Sequence, residues 1–251
     1  MAPSLGRMTL WNCNDARRCQ RSASAERQIG RDGGIESAVG KTVEFDGISA
    51  YLADGKGPGI VVLHEWWGLV PHIEDVCGRF AALGFSALAP DLYHGGTAPN
   101  TEPDDAEKLM MRLDRQRAIA EVAAAVAELR RHGCAKVGTI GFCLGGALSL
   151  AATAVCAVDA TVAYYGVWPH TGERTITTPV LVHVAEHEEH NWPALPAHFP
   201  KWFEGMSNVQ VHIYPGTQHA FFNDTRPEAY DEAAAKLSWD RTVTFLRESL
   251  A

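Results

Sequence analysis

What this sequence lacks already excludes several classes of protein. Its six cysteines show no CxxC spacing and no secretory apolar segment stands near residue 1, which together predict free thiols in a cytoplasmic protein. No run approaches the ~18 apolar residues that a membrane span requires. Acidic residues outnumber basic ones by 30 to 22, and the net charge of −8 argues against nucleic acid or an anionic membrane as a partner. No segment repeats with a period of ~20–50 residues, which excludes a solenoid.

The composition is that of an ordinary globular chain. Of 251 residues, 46% are apolar and 21% are charged, which suits one large α/β domain. Residues 1–38 differ, because Arg, Ser, Gln and Gly dominate them without helical or strand periodicity, and we predict a disordered N-terminal extension. A transit peptide is the alternative, although acidic residues among its arginines argue against it. We predict a single domain over residues 39–251.

Strands and helices alternate along this domain. Asp46-Gly47 between two strand-like segments predicts a hairpin, and apolar runs bounded by Gly predict strands buried on both faces. The alternation implies parallel pairing with right-handed crossovers. The predicted fold class is therefore α/β, with a mostly parallel twisted sheet, helices on both faces and an antiparallel N-terminal hairpin. Predicted strands are 42–45, 48–52, 59–64, 85–89, 136–140, 160–165, 179–184 and 209–214; predicted helices are 73–83, 101–133, 147–155 and 227–250.

The segment GFCLGG, residues 141–146, has the form of a nucleophile elbow. It lies between a strand-like run and a helix-like run. Such a turn exposes its central residue, here Cys143, at the top of the sheet, and the glycines on either side avoid collisions. A cysteine there attacks as the thiolate. The alternative is a buried structural cysteine beside a glycine-rich turn, but the strand before and the helix after favour the elbow and an α/β-hydrolase fold.

An elbow nucleophile requires a base and an acid further along the chain, in the order nucleophile, acid, histidine. His219 lies in a loop just past the strand predicted at 209–214, and we predict that it is the base. The acid should follow the strand predicted at 179–184. Glu188 fits that position best by spacing, and Glu186 and Glu189 are the alternatives.

A metal site is the competing interpretation of the same loop. His183 and His187 match the H-x-x-E-H pattern of metalloproteases, which requires both histidines on one face of a helix. His183 belongs to a predicted strand, where successive side chains point to opposite faces. We therefore predict no metal and no cofactor, and keep a metallohydrolase using residues 183–190 as an alternative.

The segment HEWWG, residues 64–68, follows the first buried strand. In an α/β-hydrolase this loop supplies one backbone N–H of the oxyanion hole, and the residue after the nucleophile supplies the other. The predicted donors are Trp66 and Leu144. Glu65 is predicted near Cys143, where its carboxylate either accepts the thiol proton or is a solvated loop acid.

Together these motifs resemble the dienelactone hydrolase family, the carboxymethylenebutenolidases. The resemblance implies a triad of Cys143, Glu188 and His219, with Glu65 holding the resting thiol and receiving its proton when substrate binds. It also implies opening of an unsaturated lactone through a thioester intermediate, without a cofactor. The resemblance spans about residues 40–250 and rests on HEWWG (64–68), APDLY (89–93), GFCLGG (141–146), AYYG (163–166) and GTQHAF (216–221).

Two departures from the family concern the substrate. Members of the family carry one Arg shortly after the Pro-Asp-Leu-Tyr segment and another four residues past the catalytic histidine, and both bind the substrate carboxylate. Here residues 94–96 are His-Gly-Gly and Asn223 occupies the second position. Neither Gly nor Asn replaces a bidentate guanidinium, so we predict weak activity on dienelactone and a more aromatic pocket. The substrate-binding candidates are Trp67, Tyr93, Tyr164 and Phe221.

The sequence thus predicts a cysteine-dependent hydrolase of a small ester, lactone or thioester. The alternative is a non-catalytic α/β-hydrolase fold that binds a ligand, which the presence of nucleophile, acid and base disfavours. The expected partner is a small molecule, and the expected state is a cytoplasmic monomer or homodimer.

Overall fold

The computed structural model describes residues 40–166, 176–188 and 201–251. The described residues form an eight-stranded sheet in the order β1-β2-β4-β3-β5-β6-β7-β8. The first hairpin and the β2–β4 pair are antiparallel, and the other pairs are parallel. The strands are β1 (Lys41–Phe45), β2 (Ile48–Ala53), β3 (Gly59–Leu63), β4 (Ser86–Pro90), β5 (Val137–Phe142), β6 (Ala160–Tyr164), β7 (Val180–His187) and β8 (Val209–Gln218); the helices are α1 (Pro71–Ala82), α2 (Pro103–Arg112), α3 (Arg115–Arg131), α4 (Leu144–Thr153) and α5 (Glu232–Ser249).

Helices cover both faces of the sheet, as the sequence predicted. The apolar sides of α1 and α5 pack with β3, β4, β5 and β6 in one core, and α3 and α4 pack on the opposite face. The central strands β3, β4, β5 and β6 are buried along their whole length. None of the helices in the described ranges is long and apolar enough to cross a bilayer. The extension predicted for residues 1–38 lies outside the described residues.

Two predicted helices have different bounds in the structure. The single helix expected over 101–133 is two helices, because Asp114 caps α3 by accepting hydrogen bonds from the backbone N–H groups of Gln116 and Arg117. The first of these two helices, α2, begins at Pro103 without a side-chain cap. The last helix begins at Glu232 rather than near residue 227, because the Asp231 carboxylate accepts from the Ala234 N–H.

Strand β8 is longer than predicted, and this extension positions the site. Instead of ending before Pro215, it continues and pairs with β7 as far as His187 and Gln218, across an irregularity in register. The His219 N–H then donates to the His187 carbonyl oxygen at 3.1 Å. The residues that follow β7 and β8 are therefore held side by side at the carboxyl edge of the sheet.

Candidate active site

Cys143 lies at the turn between β5 and α4 in a backbone conformation that residues other than glycine rarely adopt. Its φ is 52° and its ψ is −114°. Its N–H donates to the Tyr164 carbonyl oxygen at 3.0 Å, and its carbonyl oxygen accepts from the Ala147 N–H at 3.1 Å. Such strain costs on the order of 1–3 kcal/mol and persists only where the surroundings enforce it. The geometry is that of a nucleophile elbow with a partly buried thiol at its apex.

The glycines around Cys143 are required by close backbone approach. A Cβ added at Gly141 would collide with the Gly145 carbonyl, and one added at Gly145 would collide with the carbonyl oxygen of Leu63 on β3. The sharp turn therefore packs directly on the neighbouring strand, and backbone atoms cannot move aside as a flexible side chain would.

We expect Gly145→Ala to lower the free energy of unfolding by roughly 2–4 kcal/mol, because it overpacks backbone against backbone. Gly216→Ala is the control for crowding, since the Cβ added at Gly216 meets nothing within 4 Å and the only cost comes from its positive φ (77°), which Gly145 does not have. The control should cost only ~1 kcal/mol, from strain at the positive φ. Urea unfolding measures both, and equal losses would contradict the packing argument.

His219 and Glu188 form an acid–base pair beside the elbow. The His219 Nδ1 lies 2.5 Å from the Glu188 Oε2, and the Glu188 side chain is 0% exposed. Burial lowers the pKa of His219, but the Glu188 carboxylate and the Cys143 sulfur raise it, and the net result is a pKa well above the ordinary value. Cys143 follows β5 and His219 follows β8 at the same carboxyl edge of the sheet. The His219 Nε2 is buried and has no other hydrogen-bond partner among the described residues.

The structure separates the alternative acids. The Glu186 side chain is 48% exposed, lies 3.6 Å from the exposed imidazole of His187 and accepts a hydrogen bond from the Gly216 N–H at 2.8 Å. It is therefore engaged away from His219. Glu189 lies outside the described residues. Of the two glutamates described, Glu188 is the one that contacts the histidine.

Glu65 is buried at the same edge of the sheet, but neutral donors hold it. Its Oε1 accepts from the Tyr165 hydroxyl at 3.2 Å, and its Oε2 accepts from the Asn223 Nδ2 at 2.6 Å. Its exposure is 2%, and among the described residues no hydrogen bond joins it to Cys143. The predicted solvated acid is thus wrong. Sequence reasoning missed Tyr165 and the use of Asn223, although both lie in or next to segments that carry the family resemblance.

Two backbone donors lie at this edge of the sheet, one in the loop after β3 and the other at the first residue of α4. Among the described residues, no hydrogen bond is donated by the N–H of Trp66 or of Leu144. His64 fixes the loop, because its Nε2 accepts from the Leu92 N–H at 3.3 Å while its Nδ1 donates to the Glu65 carbonyl oxygen at 2.6 Å. Burial lowers the pKa of His64 and keeps the ring neutral, as this pair of bonds requires.

Two of the predicted substrate contacts belong to the core. Tyr164 is 0% exposed, and its hydroxyl lies 2.9 Å from the Thr242 Oγ1 on α5. Phe221 is also 0% exposed and packs between Tyr165 and Tyr214. Neither ring is available to a substrate, because both are fully buried. Tyr165, which lies just past β6 with a positive φ of 38°, directs its hydroxyl to Glu65 instead.

The other two predicted contacts lie at the carboxyl edge of the sheet. Trp67 is 3% exposed and packs on Ala98 and Ala106, with the Arg226 guanidinium 5.7 Å from its ring centroid. Tyr93 lies just past β4, with its ring 4.9 Å from that of His64. Tyr93 is therefore the better placed of the two to meet a substrate.

The metallohydrolase alternative finds little support in the described part of the loop. His183 is 0% exposed and uses both ring nitrogens internally, with the Tyr214 hydroxyl at 2.7 Å and the Thr242 Oγ1 at 3.0 Å. His187 is 46% exposed. The two imidazoles do not converge, and the described residues contain no group of three or more His, Cys, Asp or Glu side chains arranged to hold a metal.

The sheet order, the elbow after β5 and the acid–base pair after β7 and β8 define an α/β-hydrolase. Residues 45–250 match the family model of the dienelactone hydrolase family, and the chain belongs to that family. As a member it is a hydrolase of the lactone and ester class, as its sequence predicted.

Named relatives agree with this assignment. The chain is 38% identical to protein usf of Aquifex pyrophilus, with 84% of this chain and 100% of the relative covered. It is 30% identical to the carboxymethylenebutenolidase of Pseudomonas putida, with 84% and 94% covered. A solved dienelactone hydrolase-like promiscuous phosphotriesterase from metagenomic libraries superposes with a TM-score of 0.71 at 23% identity, covering 85% of this chain and 99% of that one, which shows the common fold.

Proposed function

We propose that the protein hydrolyses small, uncharged lactones or esters through an acyl-thioester on Cys143. The observation that carries the proposal is the Glu188–His219 pair beside the elbow thiol, with the pKa of His219 raised well above its ordinary value. A raised pKa keeps the imidazole protonated, which stabilises a neighbouring thiolate. A protein that only binds a ligand has no use for this arrangement.

The proposed reaction has two halves. The Cys143 sulfur forms a bond to the carbonyl carbon, and the carbonyl electrons move to oxygen, where the N–H groups of Trp66 and Leu144 stabilise them. The tetrahedral species collapses, the C–O bond breaks, and the leaving oxygen takes the proton of His219. Water then loses a proton to the neutral His219 and attacks the thioester carbonyl, and the C–S bond breaks. This step releases the carboxylic acid and restores the Cys143 thiolate beside the protonated His219.

The charges at the site favour an uncharged acyl group. Glu65 and Glu188 are buried carboxylates, and the donors to Glu65 are neutral. Arg226 lies over the Trp67 ring and is already paired with Glu228 at 2.7 Å. An anionic substrate would therefore meet the Glu65 carboxylate, which no cation neutralises among the described residues, and would find no free guanidinium in that part of the chain to bind its own carboxylate.

We expect the methyl ester of a lactone carboxylate to be a better substrate than the free acid. The difference in kcat/KM should be ~30-fold or more, because a charge-assisted hydrogen bond contributes about 2 kcal/mol or more and is absent here. Steady-state assays on dienelactone and its methyl ester measure the ratio. A preference for the free acid would show that a cation reaches the pocket and would contradict the proposed selectivity.

Capture of the acyl-enzyme tests the proposed function. The protein is mixed with p-nitrophenyl acetate, quenched, weighed intact and digested to locate the adduct. We expect a burst of nitrophenol and an acetyl group on Cys143. The thiols of Cys77, Cys134 and Cys156 should stay unmodified, because burial raises the pKa of each. Hydrolysis of p-nitrophenyl acetate with no adduct on Cys143 would contradict the mechanism. A folded protein that shows no hydrolysis and no adduct would favour the ligand-binding alternative.

A further inference from the structure

The hydroxyl of Tyr93 is a buried polar group with no hydrogen-bond partner among the described residues. It is shielded from solvent and forms no hydrogen bond with any described residue. A hydroxyl buried without a hydrogen bond destabilises the fold. Such a cost is typical of groups whose partner arrives with a ligand.

This hydroxyl lies near the reacting thiol. Burial raises the pKa of Tyr93, and the charge of Cys143 raises it further. The phenol is therefore neutral and is a hydrogen-bond donor in the working pH range. Burial and the charges of Glu65 and Cys143 also raise the pKa of Tyr165, but the Tyr165 hydroxyl already donates to the Glu65 Oε1 at 3.2 Å. Of these two phenols, Tyr93 is the one whose hydroxyl donates to no described residue.

The order of the strands decides which side of the substrate Tyr93 faces. Cys143 follows β5, and His219 arrives from β8, on one side of it. Trp66 follows β3 and Tyr93 follows β4, and both strands lie on the opposite side of β5. His219 must face the leaving oxygen to protonate it. Tyr93 thus stands on the side of the carbonyl oxygen, with Trp66.

The backbone around Tyr93 is fixed before any substrate binds. The Asp91 carboxylate accepts from the Tyr93 N–H at 3.0 Å and from the Gly95 N–H at 2.5 Å. His64 packs its ring on Tyr93 and accepts from the Leu92 N–H. The same His64 also holds the Glu65 carbonyl that precedes Trp66. One imidazole therefore sets the position of both loops, which is the preorganisation that an oxyanion site requires.

We propose that the Tyr93 hydroxyl is a third donor of the oxyanion hole, beside the N–H groups of Trp66 and Leu144. The inference rests on the proposed function. During acylation the hydroxyl donates to the oxygen that gains the electron pair, and it keeps its own proton. This hydrogen bond strengthens as negative charge develops on the carbonyl oxygen. It therefore increases the acylation rate constant and not the affinity for substrate.

Tyr93→Phe tests this role because it removes the hydroxyl and keeps the ring. For p-nitrophenyl acetate we expect the acylation rate constant to fall ~10–100-fold, with substrate binding unchanged. For the thiono ester, whose sulfur is a poor hydrogen-bond acceptor, we expect a change of no more than ~3-fold. The thermal midpoint should stay the same or rise by ~2–4 °C, because an unpaired buried hydroxyl has been removed. Tyr230→Phe, at a ring that is 37% exposed, is the control and should change none of these values.

The outcomes separate this inference from the proposed function. The role of Tyr93 would be overturned if Tyr93→Phe lowered the acylation rate constant equally for both esters or for neither. It would also be overturned if the variant failed to fold, since a hydroxyl needed for folding has a structural partner. If the unaltered protein gives an acetyl adduct on Cys143 in each of these cases, the proposed function stands. If the unaltered protein gives no adduct, the proposed function falls and the third donor falls with it.

Discussion

Replacing Cys143 with alanine should abolish the acetyl adduct and slow hydrolysis of p-nitrophenyl acetate by roughly 10³–10⁶-fold. The reason is that, in the proposed mechanism, the sulfur forms the bond to the acyl group, and no other described side chain is placed at the elbow. The fold should survive, because the partly exposed thiol fills little of the core. Quenched intact mass, nitrophenol release and circular dichroism measure the three expectations.

Cys156→Ala is the matched control for this substitution. Cys156 is also a partly buried free cysteine, but it lies past the end of α4, and burial raises the pKa of its thiol. Its loss should leave the rate within ~2-fold of the unaltered protein, as for a residue remote from the reaction. If Cys143→Ala kept a tenth or more of the activity, another group would have to be the nucleophile.

Replacing Glu188 with glutamine should reduce kcat by roughly 10²–10⁴-fold. The carboxylate accepts from the His219 Nδ1 and stabilises the imidazolium, and a neutral amide does this poorly. Because Glu188 raises the pKa of His219, its loss lowers that pKa, and the imidazolium then disappears at a lower pH. The alkaline limb of the pH–rate profile for acylation should therefore move to lower pH.

Glu186→Gln is the control for Glu188→Gln, because it removes the same charge from a carboxylate that does not contact His219. Glu186 lies two residues earlier, is 48% exposed and bonds the Gly216 N–H. We expect it to change kcat by no more than ~3-fold and to leave the alkaline limb in place, because exposed charges are screened by solvent. If Glu186→Gln were the more damaging of the two, the assignment of the acid would be wrong.

The alternation of elements and the elbow were readable from the sequence because both depend on local chemistry. Glycines at 141 and 145 mark a turn that packs on its neighbours, and apolar runs mark strands buried on both faces. The prediction that Glu188 is the better placed acid used only spacing after β7. Its geometry agrees with that spacing, since His219 lies 2.5 Å away.

The features that sequence reasoning missed depend on contacts across the sheet. Nothing local indicates that Asn223 donates to Glu65, 158 positions earlier. The choice between Tyr164 and Tyr165 depends on where β6 ends, because Tyr165 lies just past the strand with a positive φ. The single helix predicted over 101–133 was wrong because apolar periodicity continues across the turn, whereas the Asp114 cap starts a new helix.

The strand order links the reactivity of the thiol to the completion of the sheet. Cys143 is synthesised with β5, whereas the base that raises its reactivity follows β8, at the far side of the parallel sheet. Until β8 pairs with β7 and the His219 N–H meets the His187 carbonyl, the cysteine is an ordinary thiol. If His219 activates Cys143 as proposed, a growing or misfolded chain carries an unactivated cysteine, and the thiol becomes a strong nucleophile only after β8 has paired with β7. Labelling of Cys143 by a mild electrophile thus reports on folding as well as on catalysis.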